Sequence, residues 1–324
     1  MRIVSGMRPT GRLHLGHYHG VLRNWIKLQQ DYECFFFVAD LHGLTTEYAK
    51  PEIVRESSGQ ILLDWLSVGL DPEKAVIFIQ SDVKEHAELH LLLSMITPLG
   101  WLERVPSYKE MQQELSTKDL STYGFLGYPL LQTADIALYD GQKVPVGQDQ
   151  VPHIELSREV VRRFNYLYGE TLVEPQPLLT DAPKLLGMDR RKMSKSYDNC
   201  LYLSDTPEAI DKKVRSAITD PARIRKDDPG NPEICLIFDY HKLHSRPDVV
   251  ETVDRDCRSA KLGCVEDKKN MAAAINAFLD PIRARRADYE KDPGMIHAIL
   301  ERGTVRARDV AAATLARVRK AMRF

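Results

Sequence analysis

No stretch of this 324-residue chain approaches about 18 consecutive apolar residues, so no membrane-spanning helix is expected. Net charge is nearly absent as well, with 45 Lys and Arg against 46 Asp and Glu giving −1 at pH 7. Bulk charge therefore does not point to nucleic acid, although it leaves room for local basic surface that binds phosphate. Cysteine is sparse, and five residues, an odd number in a large chain, argue against a secreted disulfide framework. Internal repeats and low-complexity tracts are missing too, which excludes solenoids and arrays. Met1-Arg2-Ile3 runs straight into a strand pattern, so no leader is expected. These absences leave a cytoplasmic enzyme without a membrane partner. The length is enough for a large core and two domains.

What is present is alternation. Cys34 to Ala39 (CFFFVA) and Ala75 to Ile79 (AVIFI) are continuous apolar runs of strand length, the pattern of strands covered on both faces. Residues 2–5 and 143–146 are shorter strand candidates. Helical periods fill about 16–30, 51–68, 85–99, 129–138 and 153–165. This order predicts an α/β fold, a Rossmann-type parallel sheet with helices on both faces, whose ligands sit beyond the C-terminal strand ends. A further extended piece is expected at Leu172, Val173 and Pro175. From Pro207 the pattern turns mostly helical, and a final helix over 295–320 is expected to break near Gly303. The organisation expected is a catalytic domain at 1–205, a helical domain at 206–290, and C-terminal helices at 291–324 returning to the first.

Three stretches concentrate residues with chemistry. Arg2 to Tyr18, RIVSGMRPTGRLHLGHY, reads as a strand, a Gly/Pro turn and a helix start. Gly11 and Gly16 permit close approach of a ligand to the backbone, and the helix start offers its positive end to phosphate. His14 and His17 stand there as donors. Arg190 to Tyr197, RRKMSKSY, sets Lys192 and Lys195 three apart in a loop, with Met193 and Ser194 between. A lone basic cluster is ordinarily solvated surface. Between these stretches lies Val144-Pro145-Val146-Gly147-Gln148-Asp149-Gln150, where Asp149 could accept from a diol or cap the next helix. Tyr128, Gln132 and Asp135 share one helical face by their spacing of four and three. Asp135 stands amid Leu130, Leu131, Ile136 and Leu138, and a buried charge there needs a partner, which favours a site.

HLGH resembles the HIGH signature of class I aminoacyl-tRNA synthetases, and KMSKS at Lys192 to Ser196 matches the second signature letter for letter. With PVGQDQ between them, the whole chain resembles the bacterial tryptophanyl branch of that class. The resemblance implies activation of L-tryptophan with ATP to tryptophanyl-adenylate and pyrophosphate, followed by transfer to tRNA(Trp). It implies catalytic roles for His14, His17, Lys192 and Lys195. For ATP it implies Arg8, Thr10, Gly16, His17, Gly147, Asp149 on the ribose, and the loop residues Lys192, Met193, Ser194 and Lys195. Tryptophan would meet Val4, His42, Tyr128, Gln132, Asp135, Val144, Val146 and Gln150, with Asp135 on the indole N–H and Tyr128 and Gln150 at the α-ammonium. No protein metal site is expected, since Mg²⁺ would be held mainly by the phosphates and water. These residues would have to surround a single adenylate.

The resemblance has departures. Arg8 stands where many relatives carry Gln, Gln132 where many carry Met, and the double histidine where Thr and Asn are frequent. The pattern Tyr-x3-Gln-x2-Asp also occurs in tyrosyl-tRNA synthetases, so tyrosine-tRNA ligase is the alternative. SGMRPTGRLHLGHY, VADLH at Val38 to His42 and PVGQDQVPHIELSRE resemble the tryptophan branch more. One subgroup of that branch carries an iron-sulfur cluster on four cysteines. Here Cys235, Cys257 and Cys264 fall on the pattern, but Asp267 takes the fourth position and the first spacing is short, which favours packing residues over an intact cluster. The resemblance further implies an insertion over about 101–140 with Tyr108 and Lys109, a helical domain that reads the anticodon, and a homodimer. Candidate phosphate contacts are Arg215, Arg223, Arg225, Lys226, Arg255, Arg258, Lys261 and Arg283.

Overall fold

The computed structural model describes residues 1–106, 119–179, 185–220, 223–225 and 227–324, with Ser196 described by its backbone alone. Tyr108, Lys109 and Lys226 lie outside the described residues. Five strands form one wholly parallel sheet: β1 (Arg2–Met7), β2 (Glu33–Val38), β3 (Ala75–Ile79), β4 (Lys143–Val146) and β5 (Gln176–Leu179), in the order β3-β2-β1-β4-β5. The chain leaves β1 on one side and later returns on the other, so a topological switch point falls between β1 and β4. Arg8 and Gly147 each follow directly on one of these two strand ends.

The long apolar runs are explained by burial on both faces. Alternation puts Phe35 and Phe37 on one side of β2 and Phe36 on the other. Phe36 stacks on Trp25 with ring centroids 4.3 Å apart, and Trp25 meets Trp65 of α1 (Pro51–Val68) at 5.1 Å. Proline at the first position and Gly69 in the left-handed conformation (φ 111°) set the bounds of α1. On the opposite face Phe35, Phe37 and Phe78 pack with α2 (Glu85–Ser94), α3 (Tyr128–Leu138) and α4 (Val151–Tyr168) in one core. The last extended piece lies later than expected: Leu172 is a core residue, and the strand begins at Gln176. The expected helix over 16–30 is also interrupted. It runs as an α-helix at Leu15–His17, a wide π-turn at Tyr18–Leu22, and α-helix again at Arg23–Leu28.

Compactness divides the chain into one unit of Met1–Gly11, Asn24–Ala182 and Tyr289–Phe324, and a second of Arg12–Arg23 and Pro183–Asp288. The sequence grouped the HLGH turn and the KMSKS loop with the strands, in 1–205, but both fall in the second unit. Its main helices are α5 (Pro207–Arg215), α6 (Leu236–His244), α7 (Pro247–Arg258) and α8 (Cys264–Lys291). Thr206 Oγ1 caps α5 by accepting from the Ala209 N–H at 3.3 Å. The final helix, α9 (Pro293–Met322), belongs to the first unit and crosses β3. It runs unbroken through Gly303. A Cβ at that position would lie 1.9 Å from the carbonyl oxygen of Ile77, so the glycine permits a close crossing where the sequence suggested a break. Ion pairs tie α9 to several neighbours: Arg302 to Glu73 before β3, Arg317 to Asp140 after α3, and Arg319 to Glu88 of α2.

Candidate active site

In the first unit, α3 carries Tyr128, Gln132 and Asp135, the first and last of them buried and Gln132 partly so. Asp135 is 2% exposed and accepts three hydrogen bonds. His42 Nε2 reaches its Oδ2 at 2.8 Å, while His86 Nδ1 and Gln80 Nε2 both reach Oδ1 at 2.7 Å. The other nitrogen of His86 meets the Tyr139 hydroxyl at 2.7 Å. Burial alone would raise the Asp135 pKa, but His42 first and then His86 outweigh it and hold the carboxyl below the usual range. A carboxylate has about four acceptor positions, and three are used, so this group is both charged and fixed. Val144 and Val146 form a small apolar cluster with Ile136 and Ile154. Val4 is instead a core residue, 1% exposed, closed in by Gly141.

The opposite polar group gathers Tyr128, Gln150 and His153. The Tyr128 hydroxyl lies 3.2 Å from His153 Nε2, and His153 Nδ1 lies 2.8 Å from Gln150 Oε1. Gln150 Nε2 donates to Asp149 Oδ2 at 3.1 Å. Asp149 itself is exposed and is not the cap of α4, whose N-cap position is Gln150. A Cβ at Gly147 would stand 2.7 Å from Asp149 Oδ1, so a larger residue there would displace that carboxylate. Arg8 is half-buried and donates to Thr46 Oγ1 at 2.5 Å; its Nε is buried with no hydrogen-bond partner among the described residues. Burial lowers its pKa from the arginine value. Thr10 is exposed on the turn after β1.

In the second unit the two signatures are joined. The Leu15 N–H donates to the Leu201 carbonyl at 2.9 Å, the Leu203 N–H to the Leu13 carbonyl at 3.0 Å, and His14 pairs with Tyr202 as an antiparallel bridge. Arg12 adds an ion pair to Asp205 at 2.8 Å. Gly16 lies against the His14 ring, and a Cβ there would come 2.9 Å from it and 3.7 Å from the sulfur of buried Met193. The His14 and His17 rings lie against each other, tilted by 42° with centroids 3.8 Å apart. Burial, then Lys195, lowers the His14 pKa to about 4, and burial, then His14 and Lys195, holds His17 well below the usual imidazole value. Both rings are therefore neutral at pH 7. His17 Nδ1 accepts the His14 N–H at 3.2 Å, which puts its proton on Nε2 and makes that nitrogen a donor. Lys192 is exposed, Ser194 and Lys195 partly so.

Two groups of residues escaped the sequence reading. Asn199 pins the KMSKS loop: its Oδ1 accepts from the Ser194 N–H at 2.8 Å, and its Nδ2 donates to Asp189 Oδ1 at 2.6 Å and the Lys192 carbonyl at 3.1 Å. Gly187 makes room for it, since a Cβ there would fall 2.2 Å from the Asn199 amide. His86, Gln80 and His153 are the other group, and a buried histidine in a helical period gives no signal of its partner. The three-cysteine corner does not fit a cluster. Arg223 Nη1 lies 3.9 Å and 3.8 Å from the sulfurs of Cys257 and Cys264, and the Asp267 carboxylate is taken by His241 Nε2 at 3.0 Å. Cys235 is buried. Among the described residues no group of three or more His, Cys, Asp or Glu is arranged to hold a metal ion.

A parallel sheet with a switch point beside β1, an HLGH turn sewn to the extended segment after KMSKS, and a helical second unit define a class I aminoacyl-tRNA synthetase. Residues 1–280 match the family described as tRNA synthetases class I (W and Y). The tryptophan–tRNA ligase of Thermotoga maritima is 50% identical, with 99% of each chain covered, and that of Aquifex aeolicus is 45% identical at the same coverage. A crystal structure of tryptophanyl-tRNA synthetase from Campylobacter jejuni, complexed with ADP and tryptophan, superposes with a TM-score of 0.92 at 30% identity over 100% of both chains. A tyrosyl-tRNA synthetase of Archaeoglobus fulgidus complexed with L-tyrosine is less similar, at a TM-score of 0.67 and 25% identity, covering 88% of this chain and 90% of that one. The chain belongs to the bacterial-type tryptophanyl-tRNA synthetases.

Proposed function

We infer that this protein activates L-tryptophan with ATP, forming tryptophanyl-adenylate and pyrophosphate, and then transfers tryptophan to tRNA(Trp). The observation that carries the choice of amino acid is the buried, charge-fixed Asp135 on α3, whose next residue, Ile136, clusters with Val144 and Val146. An indole has one N–H and no acceptor, and a carboxylate already fed by three donors has one acceptor position to offer it. Phenylalanine would leave that position unpaired, at a cost of roughly 1–3 kcal/mol. Tyr128 and Gln150 would take the α-ammonium, with His42 and Gln132 bordering the ring.

In the first step the tryptophan carboxylate attacks the α-phosphorus in line and pyrophosphate leaves, so no covalent protein nucleophile is needed. Asp149 accepts from the ribose hydroxyls, and Gly147, Gly16 and Thr10 leave room for the nucleotide. His14 and His17 act as neutral N–H donors to phosphate oxygens. Lys192 and Lys195 supply the positive charge that the departing pyrophosphate requires. Arg8 adds a guanidinium at the end of β1. Mg²⁺ would neutralise phosphate charge and would be held mainly by the phosphates and water. In the second step a ribose hydroxyl of the tRNA end attacks the adenylate carbonyl and AMP leaves. The helices of the second unit would meet the anticodon through residues such as Arg215, Arg255 and Arg283, and the working form would be a homodimer. No iron-sulfur cluster takes part.

The test is tryptophan-dependent exchange of pyrophosphate into ATP, run beside tyrosine, then charging of tRNA(Trp). Exchange with tyrosine alone would replace this reading by the tyrosine ligase. Exchange without charging would make the acceptor something other than tRNA.

A further inference from the structure

Hydrogen-bond direction is fixed along a row of four side chains in the first unit. The Asp149 carboxylate can only accept, so the Gln150 amide must turn its Nε2 toward it, as the 3.1 Å contact shows. That leaves Gln150 Oε1 facing His153 Nδ1 at 2.8 Å, and a carbonyl oxygen can only accept. The proton of the neutral imidazole therefore sits on Nδ1. Its Nε2 is then an acceptor, and the hydroxyl of Tyr128, 3.2 Å away, must donate to it. The ring is 4% exposed and meets Tyr128 edge-on with centroids 5.6 Å apart, so it is held rather than free to flip. Burial, followed by His42, pushes the His153 pKa down to about 4, so the ring stays neutral at pH 7.

We propose that His153 is a positioning residue that makes Tyr128 an acceptor for the substrate's α-ammonium, and that the exposed carboxylate of Asp149 sets the direction of the whole row. A tyrosine hydroxyl can donate or accept, and a donor aimed at an ammonium would repel it. Once its proton is committed to His153, the oxygen presents only lone pairs to any other group. The device selects for an amino acid over the same side chain without its ammonium. It also ties the group read as the ribose acceptor to amino acid recognition before ATP arrives. This rests on the reading of Tyr128 and Gln150 as the ammonium contacts.

The direct test is ¹⁵N-histidine NMR of the whole protein at pH 7, with the His153 signals assigned by their loss in His153→Gln. A protonated Nδ1 and bare Nε2 are expected; the opposite tautomer, or a charged ring, overturns the proposal without any appeal to a variant's folding. Calorimetric titration without ATP gives the second arm, using L-tryptophan and its deamino analogue indole-3-propionate. His153→Phe should weaken tryptophan about 10- to 100-fold while changing the analogue less than about 3-fold. His153→Gln, which can donate to Gln150 and accept from Tyr128, should recover most of the loss. Asp149→Asn can donate as well as accept, so it should weaken tryptophan about 3- to 10-fold with no nucleotide present. Equal loss of both ligands in His153→Phe, or no effect of Asp149→Asn, sinks the inference and leaves the tryptophan reading standing. Failure of the unaltered protein to bind tryptophan sinks that reading itself.

Discussion

Asp135, proposed above as the acceptor for an indole, and the KMSKS loop, proposed to meet the phosphates, are built by opposite rules. Asp135 is 2% exposed, with both oxygens tied to His42, His86 and Gln80 by contacts of 2.7–2.8 Å. Lys192 is exposed and Lys195 partly so, and the loop that carries them is pinned at its base by Asn199. Selection between flat aromatic side chains needs a group whose position and charge do not change, because the penalty for a wrong ligand comes from leaving that group unpaired. Stabilising a leaving pyrophosphate needs charge that can follow it, and a lysine on a flexible stem does this where a buried guanidinium could not. One region therefore spends burial on rigidity, and the other keeps its cations in reach of water.

The largest effect should come from breaking the loop side of this contrast. Lys195→Ala should lower kcat for pyrophosphate exchange about 100- to 1000-fold while the KM for tryptophan stays within about 3-fold. A matching rise in KM would show that the lysine holds substrate as well as the transition state. The acceptor side should break in the other parameter. Asp135→Asn keeps the shape but loses the charge facing two imidazoles, so the KM for tryptophan should rise about 100-fold with a smaller change in kcat. Steady-state kinetics with each variant separates the two, and a loss confined to kcat in Asp135→Asn would overturn the division of labour.

Most of the first unit could be read from the chain because its signals are local. A run such as CFFFV has no solvated face in any register, which says parallel sheet before a partner strand is known. HLGH and KMSKS were legible because their chemistry lies in consecutive residues. What could not be read is what distant residues do together. Nothing near Leu203 or Asp205 in sequence says that they bind the turn at Leu13 and Arg12, and so the sequence places the two signatures with the strands. His86 reads as one polar residue in EHAELHLLL, and only the fold reveals Asp135 and Tyr139 on its two nitrogens. Gly303 read as a breaker because propensity records the cost of a missing side chain but not the carbonyl of Ile77 that requires it.

Acid should act on both regions, through stability, by a smaller and more general amount. His14, His19 and His153 are held near pKa 4 and His244 near 3, in each case chiefly by burial. Their unfolded value is near 6.5, so below that pH the unfolded chain takes up protons that the folded one refuses. Stability contributed by the neutral rings is complete above about pH 6.5 and is lost as pH falls toward 4, at roughly 1.4 kcal/mol per pH unit for each ring. Urea unfolding between pH 7 and 5 should show the slope. His244→Asn, which removes one such ring and keeps a side chain able to meet His19, should make it shallower. An unchanged slope would mean that His244 is charged in the folded protein.

The smallest effect is expected in the cysteine corner, a region apart from both Asp135 with its donors and the KMSKS loop, and so the baseline for the contrast between them. A cluster needs sulfurs that face a common centre and a fourth ligand that is not otherwise engaged. Here the Arg223 guanidinium reaches two of the sulfurs, and Asp267 is engaged by His241. Gly230 closes the corner from another side, since a Cβ there would lie 2.5 Å from the Cys257 sulfur. Such a corner is held by packing and weak N–H to sulfur contacts, each worth well under the cost of a lost core side chain. Cys257→Ser should therefore leave exchange and charging within about 2-fold and shift unfolding by about 1 kcal/mol or less. Anaerobically prepared protein should carry no iron and no visible absorbance. Stoichiometric iron, lost together with charging in Cys257→Ser, would instead give the second unit a metal-dependent part in meeting the tRNA.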